Sequence, residues 1–147
     1  MNENSAGKIF VPITLLPLDE EGVHLLINAS INDNPVKLLI DTGASKTVFD
    51  KKRIKKIFTR KRFKRHNSLS IGLGTSRMKS HIIEIEKLAI GELTIYNFES
   101  VLLNLDNVNK SYKMLGLPEI EGVLGGDILL KHKAEIDYGK KQMALTI

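Results

Sequence analysis

The sequence predicts an all-β fold whose strands close into a small barrel, and three observations carry that expectation. Its apolar runs are short and rich in Leu or β-branched residues. Turn-forming clusters separate them at intervals, at Asp19-Glu20-Glu21-Gly22, Asn32-Asp33-Asn34-Pro35, Gly72-Leu73-Gly74-Thr75-Ser76 and Gly139-Lys140. No long helical periodicity alternates with them, so a parallel sheet with crossover helices does not fit. At most one or two short helices are expected.

In chain order, residues 11–18 and 23–31 read as two arms of a hairpin, and residues 36–40 as a buried strand running into Asp41. Three strands thus precede that acid. Residues 46–65 are basic with scattered apolar positions, the pattern of a short helix or an irregular edge. Residues 68–74 and 77–90 flank the Gly72-to-Ser76 turn, and residues 93–105 supply another strand. Residues 106–116 are polar and have room for one helical turn. Val123-Leu124, the apolar Ile128-Leu129-Leu130, and strands at 134–138 and 142–147 close the chain.

The 147 residues match one domain spanning 1–147, with residues 1–8 expected to be flexible. With 42% hydrophobic and 27% charged residues, the balance is that of a soluble globular protein. The absence of cysteine removes disulfides, thiolate nucleophiles and Cys-ligated metal sites, and fits a reducing compartment. The first residues have neither a basic start nor an apolar core, so no secretory signal is read. No apolar run nears the roughly 18 residues that span a bilayer. A cytoplasmic protein without membrane contact is expected. Net charge is +5, yet ten of the 22 Lys and Arg fall within residues 51–65, leaving 12 bases against 17 acids elsewhere. The basicity is local.

Leu38-Leu39-Ile40-Asp41-Thr42-Gly43-Ala44-Ser45 places a carboxylate directly after a buried apolar run, followed by a hydroxyl and a glycine. Asp41 can bind and activate water. Thr42 can hydrogen-bond a facing loop, and Gly43 removes a side chain where another backbone must approach. By itself the tripeptide is equally the composition of a turn. A second element, Gly122-Val123-Leu124-Gly125-Gly126-Asp127-Ile128-Leu129, follows about 80 residues downstream.

With both motifs in that order, the chain resembles the retropepsin-like aspartic peptidases, the family of retroviral proteases and their cellular and bacterial relatives. There an apolar strand ends in Asp-Thr/Ser-Gly-Ala, and a later apolar-apolar-Gly-x-Asp/Asn segment packs beneath it. The resemblance covers roughly residues 23–138. It implies a closed barrel with a flap hairpin, a place filled by Ile71, Gly72, Leu73 and Gly74, whose glycines would let the flap bend over bound peptide. It also implies two catalytic carboxylates side by side. Only one Asp-Thr/Ser-Gly occurs, so the expected assembly is a homodimer, each subunit giving Asp41. At a separation of about 3 Å such a pair shares one proton, one acid activating water while the other hydrogen-bonds the scissile carbonyl. Activity is expected to peak below neutrality. No cofactor or metal is required.

The same resemblance has Thr42 reach across the two-fold axis, Gly43 and Ala44 line the cleft floor, and Gly125 and Asp127 support the loop from beneath. Two departures stand out. Retroviral enzymes carry an acid and an Arg, joined as an ion pair, where this chain has Ser45 and Gly126. Their chains also end near the equivalent of Tyr138, in an intersubunit sheet, whereas this one runs on through residues 142–147; its dimer contact is expected to be organised differently.

Two rivals remain beside the endopeptidase. One is a non-catalytic peptide-binding or dimerisation module of the same fold. The other is a nucleic-acid-binding protein using residues 51–65, less favoured because a charge run is more often a solvated surface. In a dimer the basic patch occurs twice and could steer substrate. His24, His66, His81 and His132 lack metal-ligand spacing. Neither a phosphate-binding loop nor a serine-hydrolase elbow is present.

Overall fold

The computed structural model describes residues 7–19, 22–58, 63–66 and 80–147. Six strands close a ring: β3 (Gly22–Ile31), β4 (Asn34–Ile40), β9 (Gly122–Leu124), β5 (Val48–Asp50), β8 (Leu93–Leu103) and β7 (Ser80–Ile90), with β7 returning to β3 at Ser30↔Ala89 and Ile31↔Leu88. Two further strands hang on this ring, β2 (Thr14–Leu18) on β3 and β6 (Phe63–His66) on β7. A separate three-stranded sheet has the order β1 (Lys8–Pro12), β11 (Gln142–Thr146), β10 (Glu135–Asp137). The expected closed barrel is therefore present.

Three helices accompany it among the described residues, one more than the expected upper bound: α1 (Lys51–Ile57), α2 (Asp106–Met114) and α3 (Gly126–Lys131). The excess has a local cause. α3 is only six residues long, too short for its Ile-Leu-Leu run to show helical periodicity. α2 is longer than one turn because its polar stretch hides two inward positions, Asn109 and Tyr112, three residues apart. Asn109 clamps the chain beyond the helix, donating from Nδ2 to Ile120 O at 3.1 Å and accepting from Ile120 N at 2.7 Å.

The run at 11–18 is not one strand. It breaks at Ile13, whose N–H donates to Lys141 O, so that β1 joins the small sheet while β2 joins the barrel. Four strands, not three, thus precede Asp41 among the described residues. The turn after β3 is a two-residue loop: Asn32 and Asp33 take φ of 48° and 69°, and Ile31 pairs with Asn34. Asn and Asp tolerate this left-handed conformation, which matches the twist of a tight hairpin.

Two apolar layers flank the strands that carry the site. Leu25, Ile27, Leu38, Ile40, Phe49 and Leu124 belong to the main core, to which Ile9, Val11, Met143 and Leu145 bring the three-stranded sheet. The alternate residues Leu26, Leu39 and Val123 face the other way, into a second cluster with Leu105, Tyr112 and Ile120 around α2. Coverage on both faces explains why Leu38-Leu39-Ile40 is an unbroken apolar run, as in a parallel sheet, and not an alternating one. The basic segment is tied down similarly: Ile54 is fully buried, and Ile57 and Phe58 pack against the main core. No helix among the described residues is long and apolar enough to cross a membrane.

Candidate active site

β4 and β9 run parallel and in register, Leu38 beside Gly122, Leu39 beside Val123 and Ile40 beside Leu124. Parallel neighbours release their following loops at the same end, so the loop 41–47 and the segment Gly125–Asp127 emerge side by side. The ladder extends one step further, since Asp41 N–H donates to Leu124 O at 3.0 Å. The chain then turns tightly: Ala44 N–H donates to Asp41 O at 3.1 Å, and Gly43 N–H to Asp41 Oδ1 at 2.9 Å. A Cβ on residue 43 would lie 3.3 Å from that same oxygen, so glycine lets the carboxylate fold back on its own loop. Asp41, Thr42, Gly43 and Ser45 are exposed and Ala44 is half-buried. Asp41 Oδ2 has no hydrogen-bond partner among the described residues.

Beneath the loop lies a network centred on Asp127 and Thr47. Asp127 Oδ1 accepts three hydrogen bonds, from Thr47 N at 3.0 Å, Thr47 Oγ1 at 2.7 Å and Ile128 N at 2.8 Å. Thr47 Oγ1 accepts from Gly125 N at 2.9 Å, and Thr47 O accepts from Ser100 Oγ at 2.9 Å. Two main-chain bonds complete the clasp, Gly126 N to Ala44 O at 2.7 Å and Asp127 N to Ser45 O at 3.1 Å. Gly125 sits where nothing larger fits: an added Cβ would come within 2.5 Å of Lys46 O and 2.8 Å of Ala44 O. Where the retroviral pattern has a side-chain ion pair at positions 45 and 126, this chain thus joins the same two loops through their backbones.

Asp41, Thr42, Gly43, Ala44, Ser45, Gly125 and Asp127 are therefore brought together. Ile71, Gly72, Leu73 and Gly74 lie outside the described residues, as do residues 59–62 of the basic stretch. Two supporting residues escaped the reading of the sequence. Thr47 is buried, and its only cue was a hydroxyl ahead of the apolar Val48-Phe49 pair. Glu121, just before β9, accepts Lys37 N on Oε1 at 2.6 Å and Arg53 Nε on Oε2 at 2.9 Å, pinning β4, β9 and α1 together. An acid ahead of an apolar run carries no comparable signal. No group of three or more His, Asp or Glu that could hold a metal ion occurs among the described residues.

Residues 27–128 match the model of a family described as Aspartyl protease. Among solved structures, the chain resembles a retropepsin-like aspartic protease from Rickettsia conorii, with a TM-score of 0.57 and 23% identity over 95% of this chain and 89% of that one. It also resembles the retroviral protease-like domain of Ddi1 from Leishmania major, with a TM-score of 0.57 and 16% identity over 85% of this chain and 90% of that one. At these identities the likeness is one of fold. No curated protein matches the sequence.

Proposed function

The chain belongs to the aspartyl protease family, and from that membership we propose that it is an aspartic endopeptidase, active as a homodimer in which each subunit contributes Asp41. The observation that carries the reading is the state of Asp41 in a single subunit: exposed, held by its own loop through Oδ1, and with Oδ2 uncommitted. Such a carboxylate is oriented but not occupied. A second subunit's Asp41 brought alongside would complete a two-acid centre, one ionised to take a proton from water and one protonated to polarise the scissile carbonyl.

In this mechanism the remaining residues position. Thr42, exposed beside Asp41, would meet its counterpart across the two-fold axis. Gly43 and Ala44 would form the floor under the peptide. Asp127 and Thr47 hold the loop from beneath, so the carboxylate needs little rearrangement when substrate arrives. Residues 71–74 would supply the flap that excludes water.

Asp41→Asn is the direct test. The amide keeps an oxygen to accept the Gly43 N–H, so the fold survives, while neither proton transfer nor the shared charge is possible. Cleavage of a mixed peptide library by the parent chain and none above background by the variant, with matching circular dichroism, is the expected result. A parent chain that binds peptides but never cuts them would instead favour a binding module on the same fold.

A further inference from the structure

The helices α1 and α2, whose N-terminal ends both meet the Asp50 carboxylate, leave between them a cleft of about 290 Å³. Lys52, Arg53 and Lys56 line it from one side of α1, at the spacing that places them on one face, and Lys110 and Lys113 line it from α2. Not all of these cations are free. Lys52 Nζ lies 2.9 Å from Asp106 Oδ2, and Arg53 bridges to Glu121 at 2.8 Å and Glu119 at 3.6 Å. Lys56, Lys110 and Lys113 are exposed and make no ion pair among the described residues. Three ammonium groups without an ion-pair partner, of which Lys110 feels the Asp106 carboxylate one helical turn away, therefore converge on one recess from two helices whose geometry is set by other contacts.

We propose that this cleft is an exosite for an acidic segment of the polypeptide substrate, with Lys56, Lys110 and Lys113 as the groups that receive its carboxylates. Three observations favour polypeptide over nucleic acid. Asp106 and Glu119 interrupt the cationic lining, which suits spaced acids but repels a continuous phosphate backbone. No aromatic ring among the described residues lines the cleft to stack a base. Its location also fits a chain being cut nearby: Asp50, at the cleft wall, donates its N–H to Glu121 O, three residues before the Leu124 carbonyl that holds Asp41. At about 3.3 Å per residue the cleft wall is offset from the catalytic level by roughly 10 Å along β9, so one polypeptide is long enough to engage both.

The word substrate rests on the peptidase reading, but the binding does not, and the test separates the two. Full-length Asp41→Asn protein is titrated into a fluorescent peptide carrying a Glu-rich segment and into its Gln counterpart, with anisotropy as the readout. The Glu peptide binds more tightly, the difference shrinks with salt, and the triple variant Lys56→Glu, Lys110→Glu, Lys113→Glu loses about tenfold or more in affinity. All three positions are exposed, so the variant still folds, with a small drop in melting temperature from the acids placed in the last turns of the helices; a Gln triple variant with an intermediate loss confirms that charge is what is read. In the chain retaining Asp41, the same substitutions raise KM for Glu-flanked substrates and leave kcat, and all values for Gln-flanked ones, as they were. Equal affinity for the two peptides, or indifference to charge reversal, overturns the exosite. Tighter binding of a single-stranded oligonucleotide of equal charge, released by the same substitutions, overturns the polypeptide assignment. Charge-dependent binding without any cleavage upholds the acidic-segment site and overturns the peptidase reading.

Discussion

Thr47 illustrates how much one hydroxyl can organise. It donates to Asp127, accepts from Gly125 and is buried, so Thr47→Val keeps the shape but strands a buried N–H and takes one donor from a half-buried carboxylate. Leaving such partners unsatisfied costs about 1–3 kcal/mol, and urea denaturation should show that loss while Thr47→Ser loses less. Gly125→Ala is expected to be worse. Its methyl would overlap the carbonyls of Lys46 and Ala44, neither of which can move without opening the clasp. A loss of ~3 kcal/mol or more, together with peptidase activity, is expected from paired unfolding and cleavage assays. Asp41 and Asp127 were legible as site candidates because each stands in a motif of restricted residues. Thr47 was not, because a threonine before Val-Phe reads equally as the start of any strand, and burial of its hydroxyl follows from chain segments about 80 residues away.

Among the elements, β4 was legible because both its faces are covered, which leaves an unbroken apolar run, and the hairpin loop at 32–33 because Asn and Asp supply the left-handed turn. The boundary at Ile13 was hidden because apolar residues continue through it; only the partners of β1 and β2 differ. α2 was underestimated because it is held by single inward residues. Tyr112 is one of them, its ring buried and its hydroxyl bonded to His24 Nδ1. Burial pushes its phenol above the ordinary value. The folded chain then keeps this proton at pH values where the unfolded chain has released it, so the contribution is complete below pH ~10 and falls as pH rises further. Comparison of urea midpoints for the parent chain and Tyr112→Phe should show the parent ahead by about 1 kcal/mol near pH 8 and the gap narrowing above pH ~10. An unchanged gap across that range would show that the phenol does not couple to stability.

At the scale of the whole molecule, the proposed half-site on each subunit would make function depend on concentration. Specific activity should rise steeply with protein concentration and level off once pairing saturates, and sedimentation velocity should place the monomer–dimer transition in the same range. Activity per mole that stays constant down to concentrations where only monomer sediments would contradict the shared centre. The way the outer sheet is built adds a constraint of its own. Its middle strand, β11, is made of residues 142–146, and it pairs on one side with β1 and on the other with β10. During synthesis β1 must therefore wait for a partner strand that lies about 130 residues further along the chain. A polypeptide interrupted anywhere before Gln142 would expose two raw edges at once, each able to recruit a foreign strand, and incomplete products of this gene would be prone to clump.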